Sequence, residues 1–134
     1  MVQQITLTNK FKKIYFTMTP QYQPGMLLLE WEGFISEKEE ALKGMNLAVE
    51  YAQKHQCSIV LNDNIKGQGP WPVKQAEIKE WVLDLKSAGV TKLAHVLAKQ
   101  FFSALSANSL TEGDDLLDIQ YFETRQEAEA WLKV

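Results

Sequence analysis

The hydrophobic period of this chain changes between Glu32 and Ser36, and that change constrains the fold more than any other feature. Before it, apolar residues alternate. Residues 12–18 (KKIYFTM) set Ile14, Phe16 and Met18 on one side and Tyr15 and Thr17 on the other. Residues 26–32 (MLLLEWE) set Leu27, Leu29 and Trp31 against Leu28, Glu30 and Glu32. Between them TPQYQPG carries turn chemistry, so the two runs read as an antiparallel hairpin, with residues 2–7 (VQQITL) as a short strand before it.

After the change the spacing is helical. Ser36-x-x-Glu39 has the form of a capping box, and Ala41, Met45, Ala48, Val49 and Ala52 follow as an apolar stripe. Residues 58–62 are a dense apolar run suited to a strand covered on both faces. A second helix is expected over 72–88, with Pro72 at its first position, Ala76, Ile78, Trp81, Val82 and Leu85 inward, and Gly89 as its stop. Residues 91–98 are another buried strand, 100–108 a short helix, and 117–122 a last strand. Thr124-x-x-Glu127 caps a closing helix to about Leu132. Strands separated by helices pair in parallel through right-handed crossovers. The expected fold is therefore α/β: one domain over 1–134, with a mixed sheet, a parallel centre, an N-terminal antiparallel hairpin and about four helices.

At 134 residues the chain is long enough to bury a core without staples. Cys57 is the single cysteine, so no internal disulfide can form. The opening residues turn polar at once, unlike a secretory leader, and no apolar run approaches the ~20 residues that span a bilayer. The expected location is the cytoplasm. Net charge is −3, and of fourteen basic residues only Arg125 is an arginine. Lysine lacks the guanidinium fork that recognises phosphate bidentately, and the acidic C-terminal part is the reverse of a nucleic-acid-binding face. Lys10, Lys12 and Lys13 suit a solvated strand edge. No nucleic-acid partner is expected.

In open α/β sheets ligands bind beyond the carboxyl ends of parallel strands. That rule selects residues 62–71 (NDNIKGQGPW) and the segments after residues 98 and 122. No phosphate-loop pattern occurs there. Asn62, Asp63 and Asn64 are turn formers as well as candidate ligand contacts. Trp71, in a glycine-proline stretch, has no evident face on which to bury. His95 alternates with Leu93 and Leu97 as a core histidine would, and His55 ends a helix, where a cation suits the dipole. His55 and Cys57 lack two further ligands, so no metal site is expected. No cofactor motif and no G-x-S-x-G elbow is present. Cys57 has no specific base beside it, which leaves a cysteine-dependent enzyme as a third reading behind two non-enzymatic ones.

LLLEWEGFIS, KHQCSIVLNDNI and LDIQYFETRQEAEAWL, in this element order, resemble the STAS fold. They are most similar to the small bacterial proteins likened to the sporulation anti-sigma-factor antagonist. In that family a serine follows an aspartate at this strand end, opens the next helix and is phosphorylated by a partner kinase. The resemblance places Asp63 at the aspartate and Asn64 at the serine. Asparagine cannot accept a phosphoryl group. It implies a non-enzymatic regulatory or protein-binding domain, self-associating as a homodimer, with Asp63, Asn64 and Trp71 as a recognition lip. The lipid-carrier side of the same grouping implies the alternative, an apolar small molecule held under a lid of Phe101, Phe102 and Leu105.

Overall fold

The computed structural model describes residues 3–68, 72–98 and 117–133. Nine elements occur among them. They are β1 (Ile5–Thr8), β2 (Ile14–Gln23), β3 (Met26–Gly33), α1 (Lys38–Lys54), β4 (Ile59–Gly67), α2 (Gln75–Ser87), β5 (Lys92–Val96), β6 (Asp118–Phe122) and α3 (Arg125–Leu132). The strands form one six-stranded sheet in chain order. β1, β2 and β3 pair antiparallel, and β3 to β6 pair parallel. The mixed α/β sheet expected from the period change is present. Three helices lie among the described residues, and the segment 100–108, expected to be a fourth, lies outside them.

The period-two and period-3.6 patterns sort the core into two layers. Phe16, Met18, Leu27, Leu29, Trp31, Val60, Leu93 and Ile119 pack against α1 and α2 through Ala41, Met45, Ala48, Trp81 and Leu85. On the opposite face Met26, Leu28, Leu61, Ala94 and Val96 meet Ala128 and Leu132 of α3. Because the strand order advances in one direction, right-handed crossovers leave α1 and α2 on the same face. Trp81 Nε1 donates to the Met45 carbonyl at 2.8 Å and ties α2 to α1. Gly44 lets α1 approach the sheet: a Cβ there would stand 2.7 Å from Trp31 Cη2 and 3.2 Å from Phe16 Cδ1.

Three departures from simple alternation change where side chains point. In β2, Leu7 faces Phe16 but Thr8 faces Ile14, so Tyr15 is an inserted residue. Such a bulge reverses the alternation beyond it. Tyr15 therefore joins Phe16 in the core at 4% exposure, its hydroxyl donating to the Glu40 carbonyl, while Ile14 is 45% exposed. The expectation that Ile14 shares a face with Phe16 and Met18 is corrected on this ground. TPQYQPG is also not one long turn. β2 runs through it with a second irregularity between Thr19 and Gln23, and only Pro24-Gly25 turns, with Gly25 at φ +78°. The third departure lies in β4 and shapes the candidate site.

Two helix starts also move. Glu37, not Ser36, is the N-cap of α1, with no side-chain cap bond, so the expected capping box does not form. The helix α2 begins at Gln75 rather than Pro72, and the Lys74 N–H donates to Glu77 Oε1 at 2.8 Å. The closing helix is capped as its sequence reads: Thr124 Oγ1 accepts the Glu127 N–H at 3.2 Å. Among the described residues no helix is long and apolar enough to cross a membrane.

Candidate functional site

Asn62-Asp63-Asn64 forms no turn. β4 continues through it to Gly67, with Glu30 opposite Asp63 and Glu32 opposite Lys66. Two residues of β4, Asn64 and Ile65, therefore face the single residue Trp31. A bulge of this kind at a strand end re-aims the side chains around it. Asp63 holds it in place: its Oδ1 accepts the Ile65 N–H at 2.9 Å, a bond to the backbone two residues on.

The other oxygen of Asp63 meets Arg125. Arg125 Nε donates to Asp63 Oδ2 at 2.8 Å, and its Nη2 lies 2.8 Å from the same oxygen and 2.6 Å from Glu30 Oε2. The guanidinium thus bridges β3 and β4 from the first residue of α3. Burial disfavours its charge, but the bonds to Glu30 and Asp63 outweigh that, and its pKa is raised above the ordinary arginine value. A cation opening a helix is opposed by the dipole, so the two carboxylates are what make Arg125 tolerable there. Tyr22 lies beside this cluster, its ring 6.0 Å from the guanidinium and its hydroxyl donating to Glu129 Oε2 at 3.3 Å.

The opposite face of the same strand ends carries uncharged polar groups. Trp31 Nε1 donates to Asn62 Oδ1 at 2.7 Å, and Asn62 Nδ2 lies 3.1 Å from His95 Nδ1. The His95 ring stacks on Tyr121 with centroids 5.0 Å apart and planes 17° off parallel. Asn62 is fully buried and His95 is 8% exposed. Burial pushes the His95 pKa down to about 4, so the ring is neutral at pH 7. The core histidine read from the alternation of β5 is found.

Of the proposed lip, Asp63 and Asn64 are brought to one strand end, while Trp71 lies outside the described residues, as do Phe101, Phe102 and Leu105. Asp63 is 8% exposed, with both carboxylate oxygens engaged. Asn64 is half-buried, and its Nδ2 donates to the Asn62 carbonyl at 3.4 Å. Sequence reasoning missed Glu30 and Arg125. The available signal was the lone arginine at a helix start, where the dipole makes a cation costly. Cys57 is buried, and burial raises its thiol pKa despite a hydrogen bond to the Gln21 backbone. The thiolate is disfavoured there. Among the described residues no group of three or more histidine, cysteine, aspartate or glutamate side chains is placed to hold a metal.

The fold and the strand-end site define an α/β protein with a mixed sheet in sequential strand order and a doubly engaged aspartate at the end of β4. No protein-family model matches the chain, and no curated protein matches it in sequence.

Proposed function

We propose that the chain is a STAS-like protein-binding domain that works without a phosphoryl switch and associates with a second copy of itself. The observation that supports it most is the state of Asp63. Its two oxygens hold the β4 bulge and Arg125, so it serves to position the strand end and α3. Asn64 follows Asp63 as the serine does in the family resemblance, but it lies within β4, eleven positions before α2 begins at Gln75, and not at a helix start.

The bulge also leaves Ile65 turned outward at 42% exposure. β1 and β3 run the same way, and β3 is parallel to β4, so the β1–β2 connection and the ends of β3 and β4 lie at one end of the sheet. Phe11 and Phe34, 71% and 61% exposed, therefore share that end with Ile65. Large apolar side chains gathered at one end favour a protein partner over a solvated surface.

Sedimentation velocity over a range of concentrations tests this reading. Wild type is expected to form a dimer that F34S/I65S abolishes without loss of folded structure. A wild type that stays monomeric removes self-association. Native mass spectrometry addresses the apolar-ligand alternative, since a stoichiometric lipid adduct on freshly purified protein would overturn the protein-binding reading.

A further inference from the structure

Lys10, Lys12 and Lys13 do not guard a strand edge. The edge strand β1, Ile5–Thr8, carries no charge, and the three lysines sit in its connection to β2. Thr8 lies opposite Ile14 and Phe16 opposite Trp31, so this connection projects past Gly33, the last residue of β3. A role in blocking edge-to-edge pairing therefore does not account for the cluster.

The tip is held in one shape. Asn9 Oδ1 accepts the Phe11 N–H at 2.9 Å and the Lys13 N–H at 3.1 Å. The Asn9 N–H donates to the Lys13 carbonyl, and the Lys12 N–H to the Asn9 carbonyl, both at 2.9 Å. Lys12 takes φ +63°, a left-handed conformation that lysine rarely adopts. The result is a display of apolar surface: Phe11 is 71% exposed, and the Tyr15 bulge leaves Ile14 outward at 45%. Lys10 Nζ stands 5.5 Å from the Phe11 ring centroid and 3.6 Å from Glu37 in a water-exposed pair. Lys12 and Lys13 are exposed and form no ion pair among the described residues.

Charge selects the occupant. A second copy fits poorly: tip against tip sets lysines against lysines, and tip against an acidic edge gives a head-to-tail contact with no two-fold closure. A specific carboxylate is better held by an arginine fork than by lysine, a point charge. An anionic bilayer offers many charges without fixed geometry, over an apolar layer that takes aromatic and aliphatic side chains. Lysine stems can lie along that layer while their ammonium groups stay at the headgroups. Asp118, Glu123, Glu127 and Glu129 belong to β6, α3 and the turn between them, at the other edge of the sheet from β1. That separation of charge turns the tip toward a negative surface and the acidic edge away from it.

We propose that the β1–β2 tip, Lys10 to Ile14, docks the protein on an anionic lipid bilayer, with Phe11 and Ile14 entering the headgroup layer and the lysines meeting its negative charges. This surface goes beyond the protein-binding reading and needs no dimer, because that reading is tested at Phe34 and Ile65.

Vesicle co-sedimentation of the full chain tests it, with phosphatidylcholine vesicles containing about 30% phosphatidylserine as the probe and pure phosphatidylcholine as the neutral control. Wild type is expected to bind the anionic vesicles at about 0.05 M salt, to leave them at about 0.5 M, and to ignore the neutral ones. F11S should bind roughly tenfold more weakly, through loss of the inserted ring. K12E/K13E should bind roughly thirtyfold more weakly. K54E/K86E makes the same change of net charge at the last turns of α1 and α2 and should keep most of the binding. Urea midpoints close to wild type establish that each variant is folded. Absence of wild-type binding, equal binding to neutral vesicles, or equal losses in K12E/K13E and K54E/K86E would overturn the proposal. Tip-dependent binding of polyglutamate without vesicle binding would also overturn it, and would assign the tip to an acidic protein.

Discussion

Asp63 and Arg125, sixty-two positions apart in the chain, meet at 2.8 Å across the end of the sheet, and the contact joins the last helix to its central strand. The same carboxylate holds the β4 bulge through the Ile65 N–H. One short side chain thus couples the local shape of the strand end to the docking of α3.

Arg125→Ala should therefore destabilise the fold by about 1–3 kcal/mol, because Glu30 and the nearly buried Asp63 lose the cation between them. Arg125→Lys should recover only part of the loss, since an ammonium cannot place two donors in the geometry of the fork. Urea unfolding of the three proteins measures both differences.

Gly44→Ala is expected to reverse the usual helix rule. Alanine ordinarily stabilises a helix interior by about 1 kcal/mol over glycine. Here the added Cβ meets the Trp31 ring at 2.7 Å, inside the packed core. A net loss of about 1–3 kcal/mol is predicted for this overpacking, readable as a lower midpoint in thermal or urea unfolding.

The burial of His95 gives stability a pH dependence of definite sign. Its folded-state pKa, about 4, lies below the ordinary value of 6.5, so the unfolded chain binds the proton more readily in that interval. Stability is fully present above about pH 6.5, falls as pH drops toward 4, and gains no further slope from this group below that. Between pH 7 and pH 5 the loss from His95 is about 2 kcal/mol. Urea unfolding at the two values should show it, and H95Q should remove this part of the difference.

Cap substitutions should separate the two helix starts. Thr124→Ala removes the acceptor for the Glu127 N–H and should cost about 1 kcal/mol. Ser36→Ala should change stability by less than about 0.5 kcal/mol, because Glu37 caps α1 without a side-chain bond. Equal losses in chemical denaturation would contradict the assignment of the α1 start.

Cys57 should react with a thiol reagent in the native protein no faster than the chain opens, because the thiol is buried and its thiolate is disfavoured. Stopped-flow labelling with and without denaturant measures this. Rapid native labelling would revive the cysteine-dependent reading.

How much was legible in the sequence can be judged at particular residues. Thr124 and Glu127 are three apart, so their bond is encoded locally. Leu27, Leu29 and Trp31 show their shared face by alternation alone, and Ala41, Met45 and Ala48 show theirs by helical spacing. The bulges at Tyr15 and at Asn64-Ile65 leave no such signal, because an inserted residue is defined only by what the neighbouring strand places opposite it. Asn62-Asp63-Asn64 has turn-forming side chains, yet it lies in a strand: Asn62 and Asp63 pair with both β3 and β5, and pairing with β3 resumes at Lys66 after the bulge.

The sequence by itself determined the α/β order of elements, the antiparallel start and parallel continuation of the sheet, the two apolar layers and the cap of the last helix, because each rests on residues within a few positions of one another. Only the tertiary structure decided that Arg125 closes on Glu30 and Asp63, that Ile14 turns outward while Tyr15 turns in, and that Asn62 links Trp31 to His95. Those outcomes depend on groups 31 to 95 positions apart or on strand register, and no local pattern encodes them.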